Sequence, residues 1–166
     1  MVRREALPIM SPPSTPSDAD TSRRQRWLSL LAKAPAARLA SLWQGFGPVP
    51  AYSLLRRPEI GLVMVQGRIS GSGAAFCAGE MTATRIAIRL ESGEIGIGYV
   101  GGRAPRHAEI AAVIDALGQR AEWRDALETR IVAPLTAEAE ARRRLAAARA
   151  AATKVEFFTV AREAGT

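Results

Sequence analysis

The stretch that decides the fold is residues 84–100, TRIAIRLESGEIGIGYV. In its first half, Ile86, Ile88 and Leu90 fall on one side of an extended chain, and the intervening residues, two of them arginine, fall on the other. Residues 91–94, ESGE, have the composition of a tight turn, and a second apolar stretch follows them. The segment is therefore predicted to be a β-hairpin with one dry and one basic face, within an antiparallel sheet.

Extended patterns continue on the N-terminal side of this hairpin. From Tyr52 onward, the stretches YSLLRR, IGLVMVQGRI and AAFCAGEMT are extended patterns, with Pro58-Glu59 after the first and the glycine-containing residues 70–73 after the second. Helical spacing of apolar residues borders the region on both sides. We therefore predict an α+β fold: an antiparallel sheet of about four strands, with short N-terminal helices before it and two or three C-terminal helices after it.

The chain divides by composition into three parts. Residues 1–22, rich in proline, serine and acid, are predicted to be a disordered tail, with either Met1 or Met10 as the translation start. Residues 23–152 are predicted to form a single α+β domain, which opens with a helix capped by Thr21 or Ser22. Residues 153–166 are predicted to form an extended tail that contacts a partner.

Prolines and caps set the expected helices at the C-terminal side. Pro105 stands where a helix tolerates proline best, in its first turn. A following short helix is predicted to stop before Pro134, and Thr136 to cap a last helix. The apolar stripe of that last helix is mostly alanine, so it is expected to be weakly anchored unless it packs on a partner; the stripe consists of Ala137, Ala141, Leu145, Ala148 and Ala152.

Composition limits the classes of function. The 166 residues carry a formal charge of +7, which favours acidic partners, although the few aromatics make nucleic acid an unlikely one. Cys77 is the only cysteine, so an internal disulfide and a cysteine-based zinc site are excluded, and it is expected to be a small core residue. With no apolar run long enough to span a bilayer, the chain is expected in the cytoplasm, without membrane attachment.

One segment has the makings of an anion contact. Gly101 and Gly102 lead into a helix start, where unpaired N–H groups favour an anion, and Arg103 and Arg106 add positive charge. His107, the only histidine, is expected to act in its neutral form there, as donor or acceptor. The segment is a candidate anion or interface contact, and a plain glycine turn with a solvated helix start remains the alternative.

No residue is assigned to catalysis or to a metal. A single histidine without a recognisable nucleophile turn specifies no triad, and a two-histidine metal site cannot form within the chain. Aromatic residues indicate partners instead, because tryptophan and phenylalanine are enriched at interface cores. The candidate partner contacts are Trp27, Phe157 and Phe158.

An ordered series of blocks across residues 24–162 resembles the PhnG family, a subunit of the bacterial phosphonate carbon–phosphorus lyase core complex. No single block is a mechanistic motif; the resemblance rests on their order. The blocks are RQRWLSLLA (24–32), RPEIGLVMVQGR (57–68), FCAGEMTATRIAIRL (76–90), GRAPRHAEIAAVIDAL (102–117) and TKVEFFTVARE (153–163).

The resemblance implies a function that composition does not. It implies a subunit of a cytoplasmic hetero-oligomer with PhnH, PhnI and PhnJ, supporting formation of α-D-ribose 1-methylphosphonate 5-triphosphate from ATP and methylphosphonate. It implies MgATP as substrate of the complex and no cofactor bound by this chain alone. The resemblance therefore implies that the chain is a subunit of a multi-subunit enzyme and is not catalytic on its own.

Two other classes of function stay open at this point. A free-standing basic nucleic-acid-binding domain would bind DNA or RNA with a steep salt dependence. A small phosphotransfer enzyme using residues 101–107 would turn over as a purified single chain, although the sequence offers no cluster of metal ligands for it.

Overall fold

A computed structural model of the protein describes residues 17–69 and 72–153. Two helices precede the sheet and three follow it, the last two joined by a π-helical turn. The predicted α+β class is thus confirmed. The elements are α1 (Asp18–Lys33), α2 (Ala36–Gln44), β1 (Tyr52–Arg68), β2 (Ala75–Leu90), β3 (Ile95–Gly101), α3 (Pro105–Gly118), α4 (Ala121–Leu127), the π turn (Glu128–Val132) and α5 (Ala133–Ala152).

The sheet is an antiparallel meander with strand order β1-β2-β3. The hairpin predicted at residues 84–100 is confirmed, since Arg89 pairs with Ile95 and Thr84 with Val100. The strand number differs from the predicted four, because the described residues form three strands. Stretches that the sequence separates are continuous in the structure: β1 runs through Pro58, and β2 runs from the stretch AAFCAGEMT into TRIAIRL without a break.

Pro58 does not end β1 because β1 lies at the edge of the sheet. A proline at an edge removes no ladder hydrogen bond if its nitrogen faces outward. The register with β2 shifts twice around it, between Leu54 and Arg56 and between Arg56 and Glu59. Such irregularities absorb a residue that a regular ladder excludes, so the strand bends and continues.

The core lies between one face of the sheet and the helices. Ile86, Ile88 and Leu90 point inward and are buried, as their alternation predicts. Helix α3 covers this face, and its buried residues extend almost around it, from Ile110 to Leu117. The other helices, the π turn and the residues after α2 close the core through a further set of buried side chains: Trp27, Leu31, Leu39, Phe46, Leu127, Ile131 and Leu135.

Helix α1 begins one turn earlier than predicted. Ser17 is its N-cap, and its Oγ accepts from the backbone N–H of Asp20 at 3.1 Å. Thr21 and Ser22 lie inside the helix, so the boundary of the predicted disordered tail at residue 22 is wrong for residues 18–22. Ser17 satisfies an N–H group that would otherwise stay unpaired, and two acids in the first turn favour the helix dipole.

The C-terminal helices are continuous where breaks were predicted. Helix α4 passes into the π turn and then into α5, so the helical structure does not end before Pro134. Thr136 lies within α5 and not at its start. The wider π turn ends at Val132, and Pro134 is the second residue of α5, in its first turn, where its missing N–H costs little. The predicted cap at Thr136 is therefore wrong.

Two elements extend beyond the core. Past Ala83 the β1–β2 hairpin has no third strand and no helix beside it; we call Gly61–Arg68 together with Ala75–Ala83 the arm. Most of its side chains are exposed, on both faces, although Ala83 at its base is buried. Cys77 is exposed and is therefore not the core residue expected. In α5, residues 141–152 are exposed on every side, in line with the weak anchoring expected of its alanine stripe.

No helix among residues 17–69 and 72–153 combines the length and the apolar character that crossing a bilayer would need. The predicted extended tail at residues 153–166, with Phe157 and Phe158, lies outside the described residues apart from Thr153.

Candidate functional site

The predicted anion contact is a compact turn between β3 and α3. Gly102 adopts a φ of +84°, a conformation that glycine reaches without strain. Thr84, fully buried on β2, braces the turn: its Oγ1 donates to the Gly102 carbonyl at 2.6 Å and accepts from the Ala104 N–H at 3.0 Å. Helix α3 then begins at Pro105 without a side-chain cap. The turn is thus rigid, and the helix start is open to an acceptor from outside.

The two arginines of this turn differ in their surroundings. Arg103 is exposed. Arg106 is exposed as well, but its Nη1 lies 3.1 Å from Glu109 Oε2, and the other oxygen of Glu109 accepts from the Tyr52 hydroxyl at 2.7 Å. Burial, followed by this bond to Glu109, raises the pKa of Tyr52 to about 12. Glu109 therefore offsets part of the positive charge that Arg106 brings to the turn.

His107 points away from this surface. Its side chain is buried, and Nε2 donates to the carbonyl of Leu31 at 2.8 Å. A carbonyl only accepts, so Nε2 carries the proton, and the ring ties α3 to the last turn of α1. The structure thus brings Gly101, Gly102 and Arg103 together at the surface, whereas His107 serves the core.

Trp27 is likewise internal. It is 4% exposed, and its Nε1 donates to Glu128 Oε2 at 3.1 Å across the contact between α1 and the π turn. The predicted partner contact at Trp27 is therefore corrected: the neighbouring helices supply enough cover to bury the indole. The other two candidate contacts, Phe157 and Phe158, lie outside the described residues.

Sequence reasoning missed a buried ion pair. The side chain of Asp115 is 1% exposed; it accepts from Arg24 Nε at 2.7 Å, from Arg24 Nη2 at 2.8 Å and from the Ile97 N–H at 2.9 Å. Hydrogen bonding to Asp115 raises the pKa of Arg24. An acid within the otherwise apolar run Ile110–Leu117 was the signal available in the sequence. The pair joins α1, α3 and β3, and its role is structural.

A basic groove between α1 and α5 was also missed. It encloses about 580 Å³. Four cationic side chains line it, against two acidic ones, Glu128 and Glu140. The helices that form it are a hundred residues apart in sequence, so only the fold shows it. Its cationic residues are Arg26, Lys33, Arg142 and Arg143.

Groups for chemistry are sparse in the part of the chain that the structure covers. There, no three side chains of histidine, cysteine, aspartate or glutamate lie close enough to hold a metal ion. The geometry offers contacts and electrostatics, and we assign no residue a part in bond making or breaking.

Two comparisons with known proteins bear on the chain. A family model described as "Phosphonate metabolism protein PhnG" matches residues 22–163. The chain is 40% identical over 157 residues to the "Alpha-D-ribose 1-methylphosphonate 5-triphosphate synthase subunit PhnG" of Rhizobium meliloti (strain 1021), a match that covers 93% of this chain and 98% of the relative. Both agree with the resemblance found in the sequence blocks, and neither supports the nucleic-acid-binding alternative.

Proposed function

The chain belongs to the PhnG family of phosphonate metabolism proteins, and on that premise we propose that it is a subunit of an α-D-ribose 1-methylphosphonate 5-triphosphate synthase. The observation that carries the proposal is 40% identity along almost the whole length of both chains to a protein of that name.

The positions of the exposed apolar side chains support a subunit role. Much of the large apolar side-chain surface outside the core lies on the arm and on the outer face of β3, where Ile95, Ile97 and Tyr99 are exposed. Monomeric proteins rarely expose contiguous apolar surface beyond about 300–600 Å² unless it is functional. A chain without an assigned catalytic group but with this much apolar surface suits an assembly better than a solitary enzyme.

The finer features of the assembly are part of the same proposal. The partners are PhnH, PhnI and PhnJ, the substrates of the complex are MgATP and methylphosphonate, and the setting is the cytoplasm. Bond making and breaking falls to the partner subunits, and this chain supplies surface and charge. Its formal charge of +7 suits a complex that handles a triphosphate.

Within the complex, Arg103 is the group of the β3–α3 turn that meets a phosphate or an acidic partner surface. Its guanidinium is exposed, and the adjoining start of α3 has no side-chain cap. Arginine presents several N–H donors in a plane and so suits a phosphate or carboxylate. Arg106 contributes less, because Glu109 engages it at 3.1 Å.

Genetic complementation tests the proposal. A bacterium lacking its own gene for this subunit should regain growth on methylphosphonate as sole phosphorus source when it expresses this chain. Growth on inorganic phosphate is the control. In the purified complex, Arg103→Ala should raise KM for ATP about tenfold, as expected for the loss of one charge-assisted hydrogen bond, while Arg89→Ala, an exposed arginine on the sheet, should leave it unchanged.

Two results would count against the proposal. Failure of the expressed, folded chain to restore growth would remove the subunit role. Tight binding of DNA by the isolated chain, with affinity falling steeply as salt rises, would favour the nucleic-acid-binding alternative. An unchanged KM in Arg103→Ala would refute only the contact at Arg103.

A further inference from the structure

We propose that the outer edge of β1 in the arm, Ile60–Gly67, receives an extended strand from a different subunit of the complex. This inference rests on the proposed function, and it names the surface and the kind of partner segment that the assembly uses.

Exposure of the apolar side chains of the arm to water is unfavourable in free energy. Leu62 and Met64 are 66% and 67% exposed, and Val65 and Met81 are also among the exposed apolar side chains. Leu62 and Met64 lie on one face of β1 and Val65 lies on the other, so both faces of the arm expose apolar side chains to water. A two-stranded ribbon without a covered face is at best marginally stable in water. Apolar side chains in such a ribbon indicate that a partner covers it.

The edge of β1 is protected near the core and unprotected in the arm. Near the core it carries Pro58, two register shifts and the charged residues Arg56, Arg57 and Glu59, features with which proteins prevent edge pairing. Beyond Glu59, the sequence IGLVMVQG has neither charge nor proline. Within it, the six residues Ile60–Val65 pair with β2 in unbroken register, and such a length of strand is enough for main-chain pairing with an added strand.

The opposite edge of the arm is less suited to pairing. On β2 it carries Glu80, and the register with β1 shifts between Val65 and Gln66. Gly79, which has a φ of +153°, also leaves a gap in the row of side chains along this edge. These features favour the β1 edge as the place where a strand adds.

The charges along the β1 edge indicate that the added strand comes from a different protein and not from a second copy of this chain. Arg57 and Arg68 stand near the two ends of the unprotected stretch, whereas Glu59 is engaged by Arg85 at 3.0 Å. A strand with apolar residues in its centre and acidic residues at its ends complements this pattern. A second copy of this chain would instead bring two molecules of net charge +7 together.

The test uses the tagged chain co-expressed with PhnH, PhnI and PhnJ of the same host, followed by size exclusion and hydrogen–deuterium exchange. Leu62→Lys combined with Met64→Lys should reduce recovery of the other subunits at least about tenfold, because two charges would be buried. In the wild-type complex, exchange at residues 60–67 should slow at least about tenfold relative to the free chain.

The control variant is Leu55→Lys, which adds the same charge at a side chain 45% exposed on the protected part of β1 near the core. It should assemble as the wild type does. Melting curves of the isolated variants should match the wild type, since none of the substituted side chains is part of the core.

The possible failures are separable. If wild type assembles but the double variant assembles equally, or residues 60–67 gain no protection, the inference is overturned and the proposed function stands. If Leu55→Lys reduces recovery equally, the effect is not specific to the arm and the inference is again overturned. Protection of residues 60–67 in a homodimer of the isolated chain would assign the edge to a second copy. If wild type recovers no other subunit, both ideas fail.

Discussion

Asp115 shows how much a single side chain contributes to holding this fold together. It is almost completely buried, and its carboxylate joins Arg24 of α1 and the Ile97 N–H of β3 to α3. Arg24 itself retains contact with water, its side chain being 39% exposed. The acid therefore depends on the arginine more than the arginine depends on the acid.

Removing the arginine should be costly. Arg24→Ala leaves the Asp115 carboxylate buried with only a backbone N–H, so the free energy of unfolding should fall by about 3 kcal/mol. Urea denaturation followed by circular dichroism measures it. Arg26→Ala, an exposed arginine on the same helix, should change stability by less than about 0.5 kcal/mol. Equal effects of the two substitutions would contradict the role assigned to the pair.

At the scale of elements, α3 approaches β3 closely because β3 carries glycine at alternate positions. A Cβ at Gly96 would lie 1.9 Å from the Ala112 carbonyl oxygen, and one at Gly98 would lie 2.0 Å from that of Ala108. Both positions face the helix, while Ile95 and Ile97 face outward. Helix and strand thus meet backbone to backbone, and the hairpin needs the glycines to be covered at all.

Gly98→Ala should separate these two elements. The added methyl group has no room against the backbone of α3, so stability should fall by more than about 2 kcal/mol. Gly61→Ala on the arm is the matched control: a Cβ there meets nothing within 4 Å, and the change should stay within about 0.5 kcal/mol. Thermal and urea unfolding compare the two. A tolerated Gly98→Ala would mean that α3 does not pack against β3 as described.

At the scale of the whole molecule, the described chain combines one well-packed core with two projecting elements. The core involves α1, α2, α3 and the base of the sheet, whereas residues 141–152 of α5 are exposed on all sides and most side chains of the arm are exposed on both faces. The net charge of +7 adds self-repulsion to this shape. The shape is that of a part made to be covered by other subunits.

Exchange rates in the isolated chain should reflect this division. Amides of Leu62, Val63 and Met64 should exchange at least about 100-fold faster than those of Ile110 and Ile114 in α3, because the arm opens without disturbing the core. Native-state hydrogen–deuterium exchange at two protein concentrations measures the rates and controls for self-association. Equal protection of arm and core at low concentration would contradict the account of the arm.

Local patterns carried several predictions well. Alternation at residues 84–90 identified the inward side chains, because a strand with one buried face must alternate. The order of sequence blocks identified the family. Predictions based on proline were wrong because the effect of a proline depends on its surroundings. Pro58 would end a central strand, but β1 is an edge strand and continues through it. Pro134 was expected to end a helix, but a π turn precedes it and the helix continues.

The predicted site depended on geometry that the sequence does not contain. Gly101, Gly102 and Arg103 lie together at the surface because they are neighbours in the chain. Whether His107 faces the same way depends on the helix phase and on where α1 packs, and the Leu31 carbonyl 2.8 Å away holds it inside. The basic groove and the buried ion pair join residues about a hundred positions apart, which no local pattern can place.

The sequence by itself determined the α+β class, the hairpin at residues 84–100, the lack of an internal disulfide and the family, because these follow from residue order and short-range periodicity. Only the tertiary structure decided which residues are covered. It buried Trp27 and His107 by packing α1 against the π turn and α3, and it left the apolar stretch Ile60–Gly67 bare. The physical reason is that burial depends on contacts between distant segments, and a chain shaped to fit partners places part of its apolar surface where its own segments do not reach.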